Sequence, residues 1–262
     1  MQVKDILHPA DEKALTTLRR LPLFDRFVRK VMEYGGESYC KGENLGCTVR
    51  VTKSNFPQLY PILEETCQEV GIAMPEVYVY NDPVMNAYTY GETRPFVAIS
   101  NSLIERLDPD EFKCVFAHEC GHILCKHTLY NTMVAIITDL ADDFGIISGA
   151  IYAPLQMALQ YWSRKSELSA DRCAAAVCGE ETFQRSMLKL TSGVTKIVGS
   201  PYQLVEQAKE YMALQKASWW MRIQQNCRVA WESHPQMCLR AYEIDRWSHS
   251  PIYRRLQHEP IV

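Results

Sequence analysis

The stretch Ala117-His118-Glu119-Cys120-Gly121-His122-Ile123 holds the residues of this chain best suited to chemistry. Two histidines four residues apart lie about 40° apart around a helix, so both rings can reach one ion from successive turns. Glu119 follows the first histidine by one position, where a carboxylate can touch a metal-bound water rather than the metal. This is the HExxH spacing of zinc-dependent hydrolases. Such chemistry needs three further parts from the rest of the chain: a third ligand, a substrate surface and a group facing an oxyanion.

The helix that must present this motif has a well-marked start. Asp108 is a good N-cap, Pro109 fits the first helical position, and Glu111 completes a capping-box pattern. The spacing predicts a helix from Pro109 to about Tyr130. Phe112, Phe116 and Ile123 share a flank away from the two histidines and should pack on a sheet. His127 falls about 180° from His118 on such a helix and reads as a surface residue, not a ligand. Just upstream, Glu76–Tyr80, Asn86–Tyr90 and Arg94–Ser100 are β-rich and separated by turn residues, which suggests a small, largely antiparallel sheet. Earlier, Pro9 to about Tyr34 has near-helical apolar spacing with a break at Pro22. Gly35-Gly36 and Gly42 to Gly46 read as turns, Cys47–Val51 as a short strand, and Pro57–Val70 as a helix closed by Gly71. Everything after Asn131 reads as helical. The fold class is α+β and mostly helical: a small sheet against the HExxH helix, then a helical C-terminal half. One domain is expected, with residues 1–55 packed on a catalytic part spanning 56–262.

A third ligand should come from a second helix packed on the first. Glu167 and Asp171 in Ser166-Glu167-Leu168-Ser169-Ala170-Asp171 are four apart and share a helical face. Glu167 would bind the ion; Asp171, one turn on, would accept the free ring N–H of a ligand histidine and fix its tautomer. Ala170, Ala174, Ala175 and Ala176 keep this helix slim enough for close approach. The competing reading is a solvated acidic pair beside Arg164, Lys165 and Arg172.

With His118-Glu119-Cys120-Gly121-His122 followed by Glu167-Leu168-Ser169-Ala170-Asp171, the chain resembles the gluzincin metallopeptidases of the HtpX and CAAX-prenyl-endopeptidase type, metallopeptidase family forty-eight. Met85 to Gly91 resembles the family's Asn-Ala-Phe edge-strand segment. Ser233-His234-Pro235, with Arg240 six residues after the histidine, resembles its late His-Pro…Arg signature. These four motifs run in the family's order from about residue 76 to residue 241; the first 55 or so residues match nothing in it. The resemblance implies a zincin-like catalytic domain with one Zn2+ per chain, held by His118, His122 and Glu167, and with Glu119 as general base. It implies that His234 donates to the oxyanion and that Arg240 orients His234 or binds substrate backbone. It also implies an edge strand through Asn86 and Ala87 that pairs with an extended peptide or protein substrate. The chain departs from the membrane members between His122 and Glu167, where it offers no convincing pair of spanning helices, and so sits closer to the soluble ones.

Composition limits the alternatives. A net charge of -3 over 262 residues gives no reason to expect nucleic acid as a partner. The ten cysteines form no CxxC pair and read as reduced thiols, so the expected location is cytoplasmic. Cys114 and Cys125, one turn either side of the ligand stripe, read as core. No apolar h-region follows Met1-Gln2-Val3-Lys4-Asp5, so no signal peptide is expected. Residues 144–163 are uncharged and long enough to span a bilayer, but they contain two Gly and one Pro. A single crossing there would put Glu167 and His118 on opposite sides of the bilayer. A buried helix or a membrane-resting hairpin is the expected form. Peripheral membrane contact through this stretch, or through an aromatic helix around Trp219, Trp220 and Trp231, is one alternative to a freely dissolved enzyme. A zinc-bound scaffold or sensor that does not cleave would carry the same ligands.

Overall fold

The computed structural model describes residues 1–21, 24, 28, 36–135, 149–196, 199–217 and 236–258. Helices dominate: α1 (Val3–Ile6), α2 (Pro9–Arg19) and α3 (Gly36–Cys47) precede β1 (Val49–Arg50) and α4 (Leu59–Val70). Strands β2 (Glu76–Tyr80), β3 (Ala87–Tyr90) and β4 (Phe96–Ser100) follow, then α5 (Asn101–Arg106) and the HExxH helix α6 (Pro109–Leu124). The C-terminal half holds α7 (Gly149–Cys178), α8 (Glu180–Ser192), α9 (Gln203–Ala217), α10 (Met237–Ser248) and α11 (Pro251–His258). The turns expected at Gly42 and Gly46 do not form; α3 runs through both. In helical backbone a glycine costs only about 1 kcal/mol, which tertiary contacts can override.

The four strands lie in the order β1-β2-β4-β3. Two of the three pairings are antiparallel, in keeping with a largely antiparallel sheet, while β2 and β4 run parallel from Glu76 opposite Phe96 to Tyr80 opposite Ser100. The sheet is mixed because β3 does not lie between its sequence neighbours. It crosses to the far side of β4 and becomes an edge. Strand β4 is buried throughout. Its Val97 and Ile99 enter the main core with the helices, whereas Phe96 packs on the other face with Tyr78, Tyr88 and Tyr90.

Helix α6 starts as its capping residues dictate. The Asp108 side chain accepts from the Glu111 backbone N–H at 2.9 Å, and the Glu111 carboxylate accepts from the Asp108 N–H at 3.0 Å. Lys189 from α8 also donates to Glu111, at 2.5 Å. Phe112 and Phe116 are buried in the main core as the sequence pattern requires, each contributing about 1.5–3 kcal/mol by removal from water. The helix ends at Leu124, earlier than expected. Lys126 adopts a left-handed conformation with φ 58°, and a new helical segment begins at residue 128. That turn takes His127 off the α6 helical face and folds it inward, correcting its assignment to the surface: it is 1% exposed.

Helices α6 and α7 cross almost in contact at Gly121. A Cβ built there would lie 2.7 Å from Cys173 Cβ and 3.0 Å from Ala170 Cα. The small residues expected to keep α7 slim therefore meet a glycine on the other side. A second core joins α2 to the first half of α7, where Ala14, Leu18, Tyr130, Met133, Leu159 and Trp162 pack together. Among the described residues no helix is long and apolar enough to cross a membrane; part of the uncharged 144–163 stretch lies outside them.

Gly121→Ala should force the two helices apart, costing about 1–3 kcal/mol of stability. Urea unfolding followed by circular dichroism should show a lowered midpoint; an unchanged midpoint would mean the crossing is not tight.

Candidate metal centre

Helices α6 and α7 bring three ligand-type side chains to one point. His118 Nε2 and His122 Nε2 lie 3.2 Å apart, His118 Nε2 is 3.5 Å from Glu167 Oε2, and His122 Nε2 is 3.3 Å from Glu167 Oε1. Among the described residues these three form the one cluster able to hold a metal ion. Four-coordinate zinc, with bonds of about 2.0–2.1 Å, sets neighbouring donor atoms about 3.3 Å apart. The three donors therefore already sit at the edge lengths of a tetrahedral site. Two imidazole nitrogens this close need either a proton shared as a hydrogen bond or a metal ion between them.

Behind His118, Asp171 lies fully buried with Oδ1 3.0 Å from His118 Nδ1, in position to accept that ring's N–H. Burial would raise the Asp171 pKa, but Arg240 and His118 outweigh it and hold the carboxyl below its usual range. Arg240, from α10, donates Nε to Asp171 Oδ2 at 2.8 Å and Nη2 to Oδ1 at 2.6 Å, and its Nη1 lies 3.0 Å from Glu167 Oε2. The structure thus turns the donors of Arg240 onto two carboxylates, one of them a ligand candidate. His234, its expected partner, lies outside the described residues, as do Trp219, Trp220 and Trp231.

Glu119 is 5% exposed, and its Oε2 accepts from Thr89 Oγ1 at 2.5 Å. Thr89 is a site residue that motif reasoning passes over. Strand alternation could have found it, because Ala87 and Thr89 point to the same face of β3. Asn86 and Ala87 line a cavity of about 210 Å3 together with His118, Glu119, Glu167 and Arg240. The apolar side chains of Phe183, Met187, Leu190 and Met237 line it as well. The site thus joins three ion ligands, a carboxylate beside them, a sheet edge and an apolar recess.

Residues 53–248 match the family described as peptidase family M48. The chain belongs to this family. It is also 34% identical over 266 residues to the plastoglobule-localized metallopeptidase 48, chloroplastic, of Arabidopsis thaliana, an alignment covering 98% of this chain and 76% of that protein. The protein is a metallopeptidase, and peptides or proteins are its substrates. The M48 match begins at residue 53, so helices α1 to α3 lie outside it.

Two further residues reach this site from unexpected places. His127 Nδ1 lies 3.1 Å from His122 Nδ1, and His127 Nε2 lies 3.0 Å from Asp11 Oδ2. Burial pulls the His127 pKa down despite Asp11. At Asp11, burial is outweighed by hydrogen bonds from His127, Ser169 and Trp162, which keep the carboxyl below its usual range.

In the metal-free protein burial would lower the His118 pKa, but Asp171 and Glu167 overcome it and raise it to about 10. His118 therefore holds a proton at neutral pH that an ion must displace, and affinity for the ion should climb with pH until about that value. Calorimetry of zinc binding at pH 8, in buffers of different ionisation heat, should show release of about one proton per ion. No release would contradict this account of the gap between the histidines.

Proposed function

We propose that this M48 member is a zinc endopeptidase, with Zn2+ held by His118, His122 and Glu167. The observation that carries this reading is the convergence of those three donors at one point, with His118, Glu167 and Glu119 lining a cavity beside a sheet edge. When bound there, zinc would lower the pKa of a coordinated water and polarise a peptide carbonyl. Glu119 takes the water's proton and passes it to the leaving amine nitrogen. The Thr89 hydroxyl bond to Oε2 limits the rotation of that carboxylate. Asp171 holds the His118 ring, and Arg240 fixes Asp171 and Glu167 against each other. His234, by resemblance, donates to the oxyanion.

Substrate binding follows from the edge position of β3. An extended peptide added beside it forms main-chain hydrogen bonds that tolerate many sequences, next to Asn86 and Ala87. Residues 1–55 and 56–262 act as one domain in this reading, since Asp11 bonds to groups on α7 and beside the metal centre. The eight cysteines whose side chains are described are free, which fits a reducing compartment. The expected cytoplasmic address has only that support, and the Arabidopsis relative carries a chloroplast one in its name.

Glu119→Gln should keep zinc at one equivalent while cleavage of an unfolded protein substrate falls by about 10²–10⁴-fold. Full activity in that variant would sink the proposed base. Zinc at one equivalent in the wild type, with no turnover on any unfolded substrate, would instead support the scaffold reading.

One observation favours a membrane-surface form of the same enzyme. Met157 and Tyr161 are exposed one turn apart on α7, at the end of the uncharged 144–163 stretch, and the named relative is plastoglobule-localized. Such a face would rest on lipid without crossing it. Co-flotation with neutral vesicles at high salt, lost in a Met157→Glu/Tyr161→Glu variant, is the expected result; a wild type that never floats removes this form.

A further inference from the structure

The two ligand histidines are backed differently, and the difference reaches the N-terminal helix. His118 Nδ1 lies directly against a carboxylate, Asp171, at 3.0 Å. The nearest such partner of His122 Nδ1 is another imidazole nitrogen, His127 Nδ1, at 3.1 Å. Two ring nitrogens can share that spacing only if one donates and the other accepts. The far end of His127 decides which. Its Nε2 lies 3.0 Å from Asp11 Oδ2, which also accepts from Ser169 Oγ at 2.6 Å, while Asp11 Oδ1 accepts from Trp162 Nε1 at 3.1 Å. Asp11, His127, Trp162 and Ser169 are each at most 1% exposed, so these partners are not exchanged for water.

An ionised carboxylate can only accept, so the proton of His127 must sit on Nε2. His127 Nδ1 is then the acceptor, and His122 must donate from Nδ1. That leaves the lone pair of His122 on Nε2, the nitrogen that faces His118 Nε2 and Glu167 Oε1. Asp11, the third residue of α2 and outside the M48 match, is thus a desolvated carboxylate whose partners lie on His127 and α7.

We propose that Asp11 and His127 are positioning residues of the metal centre: through them α2 fixes the tautomer and ring angle of His122, so that its Nε2 lone pair is presented to the ion. This rests on the ligand reading of His122 given above. The N-terminal segment is on this account a working part of the active site. Groups that orient a ligand histidine from behind typically change metal affinity by about 10–100-fold when removed.

The test is zinc affinity of the full chain, measured by competition with a chromophoric chelator at fixed pH. His127→Leu keeps apolar bulk but no acceptor and should weaken zinc binding by about 10–100-fold. His127→Asn places a carbonyl oxygen where Nδ1 stood and should restore affinity to within about threefold of wild type, a rescue that packing alone would not give. Asp11→Asn is nearly isosteric and should weaken binding by about threefold or more, since an amide must turn a donor toward one of its three donors. His127→Leu that folds and binds zinc as the wild type does overturns the proposal, as does equal loss in His127→Leu and His127→Asn. Should His127→Leu fail to fold, unchanged affinity in Asp11→Asn overturns it. A wild-type chain that takes up no zinc would instead defeat the metal reading itself, an outcome distinguishable from all of these.

Discussion

The close crossing of α6 and α7 at Gly121 is the constraint on which the rest of this structure depends. One helix carries His118, Glu119 and His122; the other carries Glu167 and Asp171. A side chain reaches only a few ångströms, so both sets can meet at one ion only if the two backbones nearly touch. Glycine on one side, with Ala170 and Cys173 opposite, removes the atoms that would hold them apart. The alanines that follow keep the same seam thin. Elsewhere the two helices are free to bear large side chains, and they do: Phe116 enters the main core from one, and Trp162 packs with α2 from the other.

Crowding so many polar groups into that seam creates an electrostatic demand. Glu119, Glu167 and Asp171 contribute three negative charges to the cavity wall and Arg240 one positive, each at most 7% exposed. The sum is −3 + 1 = −2 with neutral histidines, and buried charge without compensation is costly. A proton on His118 covers part of the deficit; a divalent cation covers all of it. Arg240 matters here as a rigid fork that satisfies two carboxylates at once, a task a lysine's point charge does less well. The site is thus built to be incomplete as protein alone.

How much of this was legible in the sequence follows from the range of each interaction. The start of α6 was readable because a capping box is local, and the Glu167–Asp171 pairing because four-residue spacing defines a helical face. His127 was misplaced because its position depends on one left-handed residue, Lys126, which nothing in the local composition of that stretch demands. The parallel pairing of β2 with β4 was hidden because strand order is set by the third dimension, not by the alternation each strand displays. Thr89 was within reach of strand periodicity and lies inside the Met85–Gly91 segment, but the resemblance there singles out Asn86 and Ala87. Asp11 was beyond reach: its partners lie 116, 151 and 158 positions along the chain, at His127, Trp162 and Ser169.

These contacts divide the site into a fixed back and an adjustable front. The histidines are braced from behind by buried carboxylates, Asp171 directly and Asp11 through His127. Glu119 is braced from the other side, by Thr89 on the edge strand. Because Thr89 sits in β3, a peptide paired with that edge as proposed would also brace the strand that holds the proposed base. The apolar wall of Phe183, Met187 and Met237 can meanwhile adapt, thioethers being flexible fillers of irregular space. In the proposed mechanism, binding at the edge and orientation of the carboxylate are linked through one hydroxyl, while the proposed ion ligands stay where the helix crossing puts them.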